Sequence, residues 1–360
     1  MLLDRRAGVD GKNENEDSAL IQAKEEGHTE IVSILLDRGA DVDNKNASRD
    51  TALIQAAGMG HTEIVSVLLD RGADMEIKNK YEGSALIQAI EGGHVEIVSM
   101  LLNRGADVGI KNRWGSTALL RAVNQWKGEM HKEIVSMLLD RGSDVEDRCS
   151  PYGATALMYA IRMGHTEIMP MLLDRGADVG GKDRSGSTAL IWTVHEGQME
   201  IVSMLLDRGA DVGDENQDGE TALIEATTRG YTGIVSVLLD RGAVVDAKNK
   251  NGDTALIRAA SLWREHKEMV SMLLGRGADA NIKNKSGDTV LNQAMKRGHM
   301  EVMTMLLGRG ADANGMATIT TATKIDTPTA DQYWNALIAV SSSAGRAIEE
   351  CRVATLGSGG

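Results

Sequence analysis

Phenylalanine is absent from the 360 residues, and aromatic rings come from five tryptophans and five tyrosines only. With so few rings, the position of each one carries information. Cysteine is nearly absent too: Cys149 and Cys351 offer neither a disulfide framework nor a zinc-binding spacing, which fits a reducing compartment. No stretch approaches the ~18 apolar residues of a membrane-spanning helix, and the N-terminus lacks the apolar core of a secretion signal. A cytoplasmic location is expected, with the nucleus also open. No run of five basic residues occurs, and the net charge is −13, so a nucleic acid partner is not expected. Also missing are a Gly-x-Ser-x-Gly elbow, a His-Glu-x-x-His pair and a phosphate-binding loop. No catalytic residue, cofactor or metal is therefore expected. The only reactive cluster near the C-terminus, Cys351 with Glu349 and Glu350, has no histidine beside it.

What the chain has instead is one phrase, repeated. Its clearest copy runs Thr51-Ala52-Leu53-Ile54, then Gly60-His61, Glu63-Ile64-Val65 and Leu68-Leu69-Asp70-Arg71-Gly72-Ala73-Asp74. Marking each copy by its alanine, or by Val290 in the last, gives positions 19, 52, 85, 118, 156, 189, 222, 255 and 290. The intervals are 33, 33, 33, 38, 33, 33, 33 and 35, the signature of a stacked array of one supersecondary unit. Within a copy, Ile64, Val65, Leu68 and Leu69 follow the i, i+1, i+4, i+5 spacing of one helix face. Thr51 stands where an N-cap hydroxyl accepts from open backbone N–H groups. Gly60 and Gly72 suit left-handed helix ends, and Asn251-Gly252 is a tight-turn signal. The unit reads as helix, short turn, helix, and a projecting turn-rich finger.

These motifs (Gly-x-Thr-Ala-Leu, Gly-His-Thr-Glu-Ile-Val and Leu-Leu-Asp-Arg-Gly-Ala-Asp-Val at a period of 33) resemble the ankyrin repeat. The family's Thr-Pro-Leu-His tetrapeptide reads Thr-Ala-Leu-Ile here. The resemblance implies an all-α fold: a solenoid of stacked helix-turn-helix units with projecting β-turn fingers. Nine units at ~8–10 Å between packed helices would make a curved rod on the order of 90 Å long.

In chain order, residues 1–12 read as the second half of a unit without its first helix, as if cut from a longer array or poorly capped. Residues 13–314 hold the nine repeats. The fingers of repeats one and two carry Glu16 and Arg49 where later copies have glycine, and a looser turn is expected there. Repeat four gains four residues at 124–130 and a fifth near Cys149; repeat eight gains two at 261–265. Residues 315–329 form a Thr/Ala-rich linker, 330–356 a possible degenerate capping repeat, and 357–360 a disordered tail.

Several columns belong to the frame. The histidines His28, His61, His94, His131, His165, His266 and His299 recur at one place in seven of the nine units, with equivalent positions on neighbouring units about 10 Å apart, far beyond the ~2 Å zinc–nitrogen distance; a structural role is expected. The Asp-Arg pairs read as solvated helix ends. Met100, Met137, Met171, Met204, Met272 and Met305 alternate with Val67, Val237 and Ile34, which suggests core packing.

Function must come from the columns that the frame does not use. The finger-tip column reads Asn15, Ser48, Tyr81, Trp114, Tyr152, Ser185, Asp218, Asn251 and Ser286. The position two beyond each Ala-Leu pair reads Gln22, Gln55, Gln88, Arg121, Tyr159, Trp192, Glu225, Arg258 and Gln293. Trp126 lies in the insertion of repeat four. Six of the ten rings thus fall in variable positions of four adjacent units, with Arg113, Arg121 and Lys127 nearby. Trp, Tyr and Arg dominate binding energy at interfaces. The expected site is Tyr81, Arg113, Trp114, Arg121, Trp126, Tyr152, Tyr159 and Trp192, holding a protein or peptide segment with acidic or aromatic groups. The expected molecule is a monomeric, non-catalytic interaction scaffold or adaptor, not inserted in a membrane. The alternative is the regulatory or targeting arm of a larger enzyme or channel.

Overall fold

A computed structural model describes residues 9–25, 28–125, 128–149, 151–262 and 267–312. Among them, eighteen helices follow one another as nine pairs, and the only strand-like pairings are two isolated bridges, Lys12 with Ser18 and Glu215 with Thr221. The helices group into two compact units, Met1–Arg184 and Ser185–Gly360. The linker, capping repeat and tail expected beyond residue 314, residues 1–8 of the half-repeat expected over 1–12, and the insertion residues Trp126, Lys127 and 263–266 lie outside the described residues.

Each first helix starts on a buried hydroxyl. The side chains of Thr51, Ser84, Thr117, Thr155, Thr188, Thr221, Thr254 and Thr289 each accept from the backbone N–H three residues on. The cap satisfies one of the four orphan donors of a helix start. A left-handed glycine ends the helix at Gly60, Gly93, Gly164, Gly197, Gly230 and Gly298. The apolar stripe then decides the packing: Ile64, Val65, Leu68 and Leu69 of the second helix are buried together with Ala52, Leu53, Ile54 and Ala56 of the first.

Three expectations need correction. The fingers of repeats one and two turn as tightly as the rest. Glu16 and Arg49 take the left-handed conformation at φ 61, and so does Glu82 at φ 58 in repeat three. Each closes the turn with the same bond to the asparagine carbonyl three residues back: Glu16 to Asn13 at 3.0 Å, Arg49 to Asn46 at 2.8 Å, Glu82 to Asn79 at 2.9 Å. The asparagines impose the turn. The Asn79 Oδ1, for example, accepts from the N–H groups of Tyr81 and Gly83, both at 2.9 Å. Second, the insertion in repeat four is partly absorbed as helix. Its second helix runs Glu129–Asp140, twelve residues against nine in its neighbour Val95–Asn103. Third, the methionine column is not core. Met100, Met137, Met171, Met204, Met272 and Met305 are all half-buried, and Ile34 is exposed. The position precedes the first leucine of the buried stripe, so it sits on the flank of that stripe.

The frame columns link successive repeats inside each unit. Arginines at the ends of second helices reach back to the aspartate one repeat earlier: Arg71 to Asp37 at 2.7 Å and Arg104 to Asp70 at 2.6 Å in the first unit, Arg241 to Asp207 at 2.8 Å and Arg276 to Asp240 at 2.7 Å in the second. The pairs run between repeats, not between adjacent residues, and at this exposure each contributes about 0–1 kcal/mol. The histidine column has a packing role. The His94 Nε2 lies 3.1 Å from the Gly58 carbonyl, and its ring sits so close to Gly60 that a Cβ there would meet it at 2.6 Å. In the second unit Tyr231 covers Gly197 in the same way.

Candidate binding surface

The fingers carry the site forward. Within the first unit they bond tip to tip: the Lys80 N–H donates to the Ser48 carbonyl at 2.8 Å, Arg113 to Tyr81 at 3.4 Å, and Arg184 to Tyr152 at 3.0 Å. This ladder fixes the spacing of whatever side chains stand at the tips. Tyr81, Trp114 and Tyr152 are 49%, 45% and 58% exposed, so the frame does not bury them. The Arg113 guanidinium lies over both neighbouring rings, 4.8 Å from the Tyr81 centroid and 4.2 Å from that of Trp114. Such stacking contributes about 0.5–1 kcal/mol at exposed sites and holds the rings in place.

Beneath these three residues runs a groove of about 560 Å³ over repeats two to four. Ile54 and Ile87 form part of its floor, Met59 and Trp114 its apolar walls, and Gln55, Gln88, Asp50, Glu91, Asn112 and Arg121 its polar lining. It therefore gathers four of the expected site residues: Tyr81, Arg113, Trp114 and Arg121. Arg121 is not an open cation, because it is ion-paired with Glu91. Its partner stands thirty residues away, on the first helix of repeat three (Ala85–Gly92). With Asp50 and Glu91 facing Arg113 and Arg121, the groove is balanced in charge, not basic.

The other expected residues fall elsewhere. Tyr152 stands on the finger of repeat five and does not line the groove. Tyr159 is half-buried; its hydroxyl is 2.8 Å from the buried Cys149 Sγ, and Arg162 lies over its ring at 4.6 Å. Burial first, and then the bond to Cys149, push its phenol up to about 12. Tyr159 is thus tied into its own repeat. Trp192 belongs to the second unit, partly exposed on the helix Ala189–Glu196. Trp126 lies outside the described residues. A larger depression of about 840 Å³ between the second helices of repeats three and four is walled by Glu96, Met100, Glu133 and Met137, and no ring enters it.

Reading the columns by residue type missed Asp50, Met59, Glu91 and Asn112. The signal for Asn112 was present, because asparagine recurs two residues before the finger tips at Asn13, Asn46, Asn79, Asn112, Asn216, Asn249 and Asn284. No helix of the described residues is long and apolar enough to cross a membrane. A family model described as ankyrin repeats (3 copies) matches residues 1–79, 85–183, 131–216, 176–249 and 241–317, and one described as ankyrin repeats (many copies) matches 59–102. A search of curated proteins finds no match. The period, the helix pairs with their hydroxyl and glycine caps, and these matches over most of its length agree: the chain belongs to the ankyrin repeat family.

Proposed function

We propose that the protein is a non-catalytic interaction scaffold whose first unit holds a segment of a partner protein in the groove of repeats two to four. Ankyrin repeats are generally protein–protein interaction modules. The observation that carries the assignment to this groove is the triplet Tyr81, Arg113 and Trp114: two large rings left nearly half exposed, held by a guanidinium over an apolar floor. Exposed rings are costly to leave in water and are the common anchors of interfaces. Ordering them beforehand reduces the entropy lost on association. Tyr152 extends the same finger row and provides a further contact for a longer segment.

The test is a quantitative pull-down with the full chain, the double variant Tyr81→Ala/Trp114→Ala and, as control, Trp192→Ala. Proteins held by the native chain and by the control but lost on the double variant support the assignment. A set of captured proteins unchanged by the double variant contradicts it.

A further inference from the structure

The groove contains a set of donors that other repeats of this chain use to hold a carboxylate. The residue before the N-cap hydroxyl is Asp50 in repeat two, Glu220 in repeat seven, Asp253 in repeat eight and Asp288 in repeat nine. Each such carboxylate is held by polar side chains around it. The Asp50 Oδ1 accepts from Asn79 Nδ2 at 2.9 Å, and its Oδ2 faces Gln55 Nε2 at 3.4 Å. Glu220 Oε1 accepts from Asn249 Nδ2 at 2.9 Å and from the Arg258 guanidinium at 2.7 Å. Asp288 Oδ2 accepts from Gln293 Nε2 at 2.9 Å. The donors recur by position: a glutamine on the same repeat's first helix, and an asparagine and an arginine from the next repeat.

Repeat three has all three donors, Gln88, Asn112 and Arg121, but the residue at the carboxylate position is Gly83. Asn112 is 4% exposed. Its Oδ1 already accepts from the N–H groups of Trp114 and Ser116, both at 3.0 Å, so the amide cannot turn over without losing two bonds. Its Nδ2 has no hydrogen-bond partner among the described residues. A buried donor without an acceptor keeps the cost of its lost hydration uncompensated. Gln88 and Arg121 both turn to Glu91. Gly83, Gln88, Asn112 and Arg121 all line the groove, below Tyr81 and Trp114. The position is also reachable, since the carboxylates standing there in other repeats keep some exposure: 15% for Glu220, 16% for Asp253 and 12% for Asp288.

We propose that this position receives the carboxylate of an aspartate or glutamate side chain from the partner segment, donated to by Asn112 Nδ2 and shared with Arg121 and Gln88. The proposal rests on the groove being the binding surface. It adds that the segment is acidic at one fixed point, next to an apolar or aromatic residue that meets Tyr81 and Trp114. The ligand replaces the carboxylate that repeat three lacks.

The substitution Gly83→Asp tests this directly, because it supplies the carboxylate from within. Gly83 has an ordinary φ, and a Cβ there would come 3.1 Å from the movable tip of Gln88. The experiment selects from a random dodecapeptide phage library on the full chain, then titrates a synthetic peptide of the selected sequence. The expected result is an Asp or Glu at a fixed place in the selected peptides. Affinity should fall about tenfold or more when that residue becomes Asn or Gln. It should fall on Gly83→Asp as well, and on that variant the Asn or Gln peptide should bind no worse than its parent, because the internal carboxylate already fills the position. The Gly83→Asp substitution should also raise the melting temperature, which reports the cradle independently of any ligand. Peptides without a fixed carboxylate, or undiminished binding to Gly83→Asp, would overturn the carboxylate proposal. If those peptides still lose affinity on Trp114→Ala, the groove stands; if they are indifferent to Trp114 as well, both readings fall.

Discussion

The two units are built from the same phrase and differ in what they do with its variable columns. In the first, the finger tips of repeats three to five are Tyr81, Trp114 and Tyr152; in the second the tips are Ser185, Asp218, Asn251 and Ser286. On and just before the first helices the second unit carries charges that pair with one another. Glu225 holds Arg229 at 2.6 Å and faces His195 at 3.0 Å, Glu220 holds Arg258 at 2.7 Å, and Asp288 holds Lys296 at 2.7 Å. The first unit leaves rings in water and Asn112 Nδ2 without an acceptor. The frame needs neither feature, since the second unit folds without them. A face whose polar groups pair internally has little left to offer a partner; a face with unmet groups gains when one arrives.

The largest expected effect separates the units by binding. Trp114→Ala or Tyr81→Ala should each weaken a groove-binding peptide by roughly 2 kcal/mol or more if the rings are anchors. Titration calorimetry on both variants measures this, and Trp192→Ala serves as the comparison in the other unit.

Next comes the stability of the internally paired face. Glu220→Ala strips the carboxylate from Asn249 and Arg258 at once. Denaturant unfolding should show a loss of about 2 kcal/mol. Gly83→Asp is the mirror image and should gain about 1 kcal/mol in the first unit.

A smaller contrast concerns backbone strain at the fingers. Glu82 occupies a left-handed position that costs a residue with a Cβ about 1 kcal/mol, so Glu82→Gly should raise stability by about that amount. In the second unit the corresponding Gly219 is not replaceable, because a Cβ would come 2.9 Å from the backbone nitrogen of Lys250. Gly219→Ala should therefore destabilise. Thermal melts that moved both variants in the same direction would contradict this difference.

The smallest effect is titration. Burial lowers the pKa of His165 from its usual 6.5, against a bond to the Val123 backbone, and nearby His131 lowers it further. Below about pH 6.5 the unfolded chain takes up this proton more readily than the folded one, so stability is full above that pH and declines as pH falls. At the equivalent positions of the second unit's first two repeats stand Gln198 and Tyr231, not histidine. Unfolding curves at stepped pH should show a shallower acid loss in His165→Gln.

Much of this was legible in the residues because a repeat is its own alignment. Nine copies separate columns that never vary, such as the N-cap hydroxyl, from columns that do, such as the finger tip. That separation was enough for the fold and to single out Tyr81 and Trp114 as rings that the frame leaves exposed. What stayed hidden depends on pairs across repeats. The charge of Arg121 is matched by Glu91, thirty positions back, and Tyr159 is held by Cys149, ten positions back. The meaning of Gly83 depends on Asn112 and Arg121 in the next repeat. The three left-handed residues Glu16, Arg49 and Glu82 show the opposite lesson: a missing glycine did not loosen the turn, because asparagine side chains set it.

The most direct test of the central claim is calorimetric titration of a library-selected peptide against the native chain and the Tyr81→Ala/Trp114→Ala variant, with circular dichroism to confirm that both are folded. The expected result is an affinity reduced at least ~thirtyfold in the folded variant. Equal affinities for the two folded proteins would contradict the claim that the groove of repeats two to four is where this chain binds.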